Sequence, residues 1–334
     1  MAICFSYLPE HIITNNGIDQ RIMSSSKKVI YAALLGNTLI SITKFVAAAI
    51  TGSSAMLSEG IHSVVDTGNQ GLLLYGIRQS KKPADDLYPF GHGKEIYFWS
   101  FVVAILIFAV GAGVSIYEGI LHLYHPAPLT NVYINYIVLG FAILFEGGAW
   151  LFALREFTRT KGKWGYIEAV QRGKDPSMFV VLFEDSAALL GLVVALLGVS
   201  LSQYTGLLIF DGIASVIIGL ILAGTAVWLA YETKGLLIGE SANRTVVNGI
   251  RELTLRHPKV DHVNEVLTMH MGPNFILVNI SVEFTDDAVA DEIEQVIALL
   301  DNDIKEFYPN VKRIFIEAES RCSHVQKTAA SKST

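Results

Sequence analysis

Apolar residues run along this chain in six stretches, broken by short polar turns, until the pattern changes near residue 240. A membrane helix needs ~20 predominantly apolar residues, and the runs fall at about 29–50, 54–78, 96–121, 132–154, 178–202 and 208–231. Beyond 240, helical spacing at 241–255 stops at His257-Pro258, and two alternating stretches at 260–271 and 275–284 flank the turn Gly272-Pro273-Asn274. A helix at 288–307 and a strand at 311–318 follow. The pattern predicts an α-helical membrane protein: an arm over 1–26, six transmembrane helices over 27–239, and an α+β domain of ferredoxin-like type over 240–320. The polar tail at 321–334 reads as disordered.

The second stretch departs from the rest. At ~100° per residue, Glu59, His62, Ser63, Asp66, Asn69 and Gln70 share one stripe of an otherwise apolar helix. Ionisable groups at membrane depth are costly unless they pair, bind a metal or line a wet cavity, so this stripe is not expected to face lipid. His62 and Asp66, one turn apart, can hold one metal ion between them. The alternative is a polar seam that hydrogen-bonds to neighbouring helices. In the first stretch, Lys44 lies toward the outer end, where its stem can snorkel to the headgroups.

Composition agrees with the membrane reading. The 334 residues are 51% hydrophobic and 17% charged, and the mean hydropathy is +0.44. A net charge of -6 gives no general basic character, so nothing points to nucleic acid. Cys4 and Cys322 stand at opposite ends and form no CxxC metal motif. The first ~25 residues lack the basic-then-apolar order of a secretory signal. Lys and Arg crowd the loops around 78–94 and 155–174 and are missing from those at 122–131 and 202–207. By the positive-inside rule both termini are expected in the cytoplasm, as an even number of spans requires.

The fifth stretch holds a second pair of acids, Glu184-Asp185. Counting ~1.5 Å per residue, Asp66 and Asp185 both lie ~12 Å from the inner face of the bilayer core. Adjacent residues point ~100° apart, so Glu184 and Asp185 cannot both face Asp66 squarely, and one of them is expected to look at another neighbour. Glu146, deep in the fourth stretch, is either a proton-path acid or a bundle hydrogen-bond partner. Asp211 opens the sixth, where an acid is favourable at a helix N-terminus.

Six spans, a cytoplasmic α/β appendage and the run Ser54-Ala55-Met56-Leu57-Ser58-Glu59-Gly60-Ile61-His62-Ser63-Val64-Val65-Asp66 resemble the cation diffusion facilitator family over about 29–320. The resemblance implies a homodimeric divalent-metal/proton antiporter, most often a zinc exporter. Its central site takes two acid or histidine positions four apart on span two and two more on span five. His62 and Asp66 match the first pair and Asp185 one of the second, while the last position falls on Val181, which cannot bind metal. Glu184-Asp185, Glu59 and the loop Pro89-Phe90-Gly91-His92-Gly93-Lys94 are similar to a branch with Glu-Asp in the fifth span, and there the missing ligand is left to Glu184, Glu59, Asn69 or water. By the same resemblance Asp85, Asp86 and His92 suggest a second cytoplasmic metal site. His257, His262 and His270 are scattered, and Asn264 and Asn279 fall roughly where some relatives have histidines.

The expected function is export of a divalent transition metal from the cytoplasm in exchange for protons, with zinc as leading cargo and manganese, cobalt and iron(II) compatible by ligand type. No prosthetic group is expected. The expected setting is a multi-pass protein of a bacterial inner membrane, dimerising through its cytoplasmic domain. The rival is a membrane metal-binding or sensor protein that does not transport; an intramembrane metal hydrolase has no supporting spacing.

Overall fold

The computed structural model describes residues 34–35, 37–51, 54–126, 131–161, 165–166, 169 and 175–331. The expected arm at 1–26, the start of the first span and most of the basic segment at 162–174 lie outside the described residues. The chain divides into two compact units, Lys27–Asn243 with Thr268–Ile276, and Arg244–Leu267 with Leu277–Thr334.

The first unit is helical: α1 (Asn37–Thr51), α2 (Ser54–Gln79), α3 (Glu95–Tyr124), α4 (Val132–Lys161), α5 (Pro176–Thr205) and α6 (Ile209–Ile238). Among the described residues α3 to α6 are long and apolar enough to cross a membrane. The described part of α1 is shorter. α2 has the length, with 26 residues, but its polar stripe makes it less apolar. α5 is the most enclosed of the four long helices, 56% buried against 22% for α4, so it runs through the middle of the bundle. Its ends follow from local chemistry. Asp175 caps the start by accepting from the Ser177 N–H at 3.1 Å, Pro176 occupies the first turn, and Gly206 closes the end at φ 72.

α3 carries a π-helical turn at Ile107–Ala112. Beyond it, α3 and α6 cross closely through small residues. A Cβ on Gly119 would meet the Val216 backbone nitrogen at 2.7 Å, and one on Gly219 would meet the Ala112 carbonyl at 3.0 Å. Without a hydrophobic drive between helices in lipid, such close backbone approach is what supplies packing energy. Gly119→Val is therefore expected to destabilise the bundle by about 1–3 kcal/mol. Gly224→Ala, which enters open space, is the control; thermal unfolding in detergent reads both.

The chain continues through α7 (Arg244–Leu255), β1 (Val260–Gly272), β2 (Phe275–Phe284), α8 (Ala290–Phe307), β3 (Val311–Ala318) and α9 (Arg321–Ser331), all in the second unit except 268–276, the end of β1 and the start of β2. The sheet order is β1-β2-β3. The Glu319 N–H donates to the Val282 carbonyl, which sets the ends of β2 and β3 side by side and the two strands parallel. Val278, Ile280, Leu300, Ile304 and Val311 form its core with Ile250 of α7. The described elements follow the expected order, helix–strand–strand–helix–strand, in a small three-stranded sheet; a full ferredoxin-like βαββαβ unit has one strand more.

The tail expected to be disordered is corrected, since 321–331 is the helix α9. It has little apolar periodicity and is held by polar contacts instead. Ser320 caps it by accepting from the Ser323 N–H, and Glu319 takes His324 at 2.9 Å and Lys327 at 2.6 Å. Lys327 and His324 hold the Glu319 carboxyl at about 2. A carboxyl whose pKa is lowered on folding adds stability above its unfolded value, near ~4.3, and loses it as pH falls toward the folded value. Hydrogen exchange at 321–331 should therefore speed up in the wild type only below about pH 4, and at neutral pH in Glu319→Gln.

Candidate metal site

The polar stripe of α2 faces inward. Ser58, Glu59, His62, Ser63, Asp66, Asn69 and Gln70 are all buried, as are Glu184 and Asp185 of α5. His62 Nε2 lies 3.3 Å from Asp66 Oδ2, the separation that one helical turn gives. Asn69 donates to Glu184 Oε1 at 2.7 Å, and Asp66 and Glu184 are within hydrogen-bonding reach of each other. Two carboxyl groups this close share one proton or flank one cation. A Cβ on Gly111, inside the π turn of α3, would lie 3.9 Å from His62 Nδ1, so that turn runs beside the imidazole. π turns recur at functional sites.

Much of this polarity has no partner among the described residues. Both ring nitrogens of His62, Asp66 Oδ1, Glu184 Oε2 and Asp185 Oδ2 are buried without a hydrogen bond, and so are both polar atoms of the Gln70 amide. A buried polar atom left unpaired is costly, so such a concentration marks a place for water, protons or a cation. Among the described residues, no three His, Cys, Asp or Glu side chains are grouped so as to hold a metal ion in this conformation.

Two sequence expectations change here. Glu184, rather than Asp185, is the acid that reaches the α2 stripe; the ~100° between neighbours turns Asp185 off that line, although it stays buried among the same charges. Val181 is fully buried one turn before them. Lys44 does not snorkel. It is 0% exposed and donates to Glu59 Oε2, Ser63 Oγ and Glu146 Oε1, each at 2.9 Å. The signal was present in the sequence: Asn37, Ser41, Lys44 and Thr51, all buried, lie on one helical face of α1. Glu59, one turn along α2 from His62, and Glu146 of α4 accordingly serve as partners of Lys44 in this conformation.

The other candidates are placed as follows. His92 Nε2 and Asp85 Oδ2 are 3.0 Å apart, and His92 helps hold the Asp85 carboxyl below its usual range; Asp86 is exposed and completes no cluster of three. Asp211, buried at the start of α6, lies 3.7 Å from His122. In the second unit Asn264 donates to Ser281 and to the Glu319 carbonyl, Asn279 is exposed, and His257 is 3.4 Å from Asp303.

The family profile of the cation efflux transmembrane domain matches residues 30–238. The chain belongs to the cation efflux, or cation diffusion facilitator, family. It is similar to a mitochondrial proton-coupled zinc antiporter of Xenopus laevis, at 34% identity over 85% of this chain and 52% of the relative. Similarity extends to metal tolerance protein C4 of Arabidopsis thaliana, at 29% over 79% and 58%. A manganese efflux system protein of Bacillus subtilis matches at 24% over 87% and 95%. This cation efflux chain thus spans about half the length of the Xenopus relative. The family is one of multi-pass membrane transporters rather than enzymes.

Proposed function

We propose that this chain is a secondary transporter that exports a divalent transition metal from the cytoplasm in exchange for protons, with zinc the leading cargo and manganese, cobalt and iron(II) further fits. The observation that carries the reading is the buried seam of His62, Asp66, Asn69 and Glu184 inside the unit matched by the cation efflux family. Neutral imidazole and ionised carboxylates bind such an ion, and the same groups release it once protonated. Rocking of the helices about this fixed mid-membrane site would expose it to one side and then the other. Asp185, buried beside Glu184, can complete the ligand set as the helices move.

In this reading α1 and α2 join the four long apolar helices as a six-span domain, with the basic loops and both termini in the cytoplasm. Cysteines introduced at Ala127 and Gly165 should be labelled from outside and inside respectively. The α/β unit is cytoplasmic and joins two chains as a homodimer. Antiport needs a standing proton gradient, for which a bacterial inner membrane is the proposed setting. The non-transporting sensor remains the second reading, favoured by the lack of three converged ligands among the described residues. Zinc counterflow separates the two: vesicles preloaded with zinc should accumulate radiolabelled zinc from outside, and a sensor would bind it without accumulation.

A further inference from the structure

We propose that Glu59, Ser63 and Glu146 form a second cation seat inside the membrane unit, and that Lys44 fills it as a tethered cation. Three oxygens, from α2 and α4, lie at the same 2.9 Å from Lys44 Nζ. They use all three N–H donors of the ammonium. The ammonium occupies the position a metal ion would take among oxygen ligands, and no part of the side chain reaches solvent.

The second carboxylate oxygens are the independent sign of a cation site. Glu59 Oε1 and Glu146 Oε2 are buried and have no hydrogen-bond partner among the described residues. A pair built only to satisfy a lysine would leave fewer acceptors unused at this depth. With both carboxylates turned bidentate and Ser63 added, five oxygens surround one point, a donor set suited to hard cations. Oxygen distances of ~2.1–2.5 Å to a metal require the shell to close by about 0.4–0.8 Å, and side-chain rotation supplies that.

The seat also explains why Glu59 stays out of the adjacent site. His62 follows Glu59 by three residues on the same stripe, so an unpaired Glu59 carboxylate would draw a divalent ion along α2. Lys44 neutralises it and confines the ion to His62, Asp66 and Glu184. This last step rests on the transport reading; the seat itself does not.

The test is zinc stoichiometry by equilibrium dialysis on the full-length chain in detergent. Lys44→Met should bind one zinc ion more than the wild type, and the added ion should vanish in Lys44→Met/Glu146→Gln. Glu146→Gln alone should keep the wild-type stoichiometry, because the ammonium already excludes metal there. Lys44→Gln, which retains hydrogen bonding, serves as second variant and should behave like Lys44→Met. An unchanged count in both Lys44 variants, or an added ion indifferent to Glu146→Gln, overturns the proposal. So does a loss of zinc from Glu146→Gln with Lys44 intact, since the seat would then hold metal already. Asp66→Asn reports separately on the transport site: full zinc binding there would count against that reading while the Glu146-dependent ion still supported the seat.

Discussion

Asp66→Asn and Glu184→Gln should each lose metal uptake driven by a pH gradient while the bundle still folds. Both substitutions keep size and most hydrogen bonding and remove one charge that balances a divalent cation. At a buried site electrostatics are several-fold stronger than in water, so metal binding should weaken by more than ~1.4 kcal/mol, a factor of ten. In the empty protein the same changes relieve repulsion between two carboxylates within reach of each other, and thermal stability should hold or rise. Asp185→Asn should have the smaller effect, because Glu184 occupies the position against Asn69 and Asp66. Titration of zinc into the three purified variants gives the order. A larger loss in Asp185→Asn than in Glu184→Gln would mean that α5 presents the other acid during binding. His62→Ala should shift the pH dependence of uptake, since imidazole ordinarily titrates near neutrality.

The second large effect concerns stability. Lys44 stands fully buried between two carboxylates, and removing one partner of a buried ion pair leaves an uncompensated charge. Lys44→Met should therefore cost about 3–5 kcal/mol. Adding Glu59→Gln and Glu146→Gln removes the stranded charges and should recover most of that loss, because a neutral hydrogen-bonded cluster avoids the desolvation of ions. Unfolding of the detergent-solubilised single and triple variants, without metal, checks the pair. An exposed, snorkelling lysine would give a change of a few tenths of a kcal/mol at most.

Part of this architecture is legible in the sequence and part is not, for physical reasons. The four long apolar helices stand out because length and hydropathy alone decide membrane crossing. The α2 stripe is legible because 3.6-residue periodicity puts Glu59 to Gln70 on one inward face. The α/β order is legible from its turns, with β2 and β3 at their expected bounds. Which of two adjacent acids faces a neighbour is set by the rotation of α5, a tertiary quantity that spacing within one helix does not contain. Lys44 reads as a snorkelling residue when its helix is considered alone; its inward direction depends on Glu146, 102 residues away. The helix at 321–331 escapes notice because its anchors are Glu319 and Ser320 rather than an apolar face.

Simultaneous recording of zinc and proton movement in vesicles containing only this chain tests the central claim most directly. With the lumen acidic and zinc outside, zinc should accumulate as the lumen becomes more alkaline, and collapsing the pH gradient with an ionophore should stop both at once. Stoichiometric zinc binding with no zinc-dependent change in luminal pH and no accumulation would contradict antiport and leave a membrane protein that holds metal without moving it.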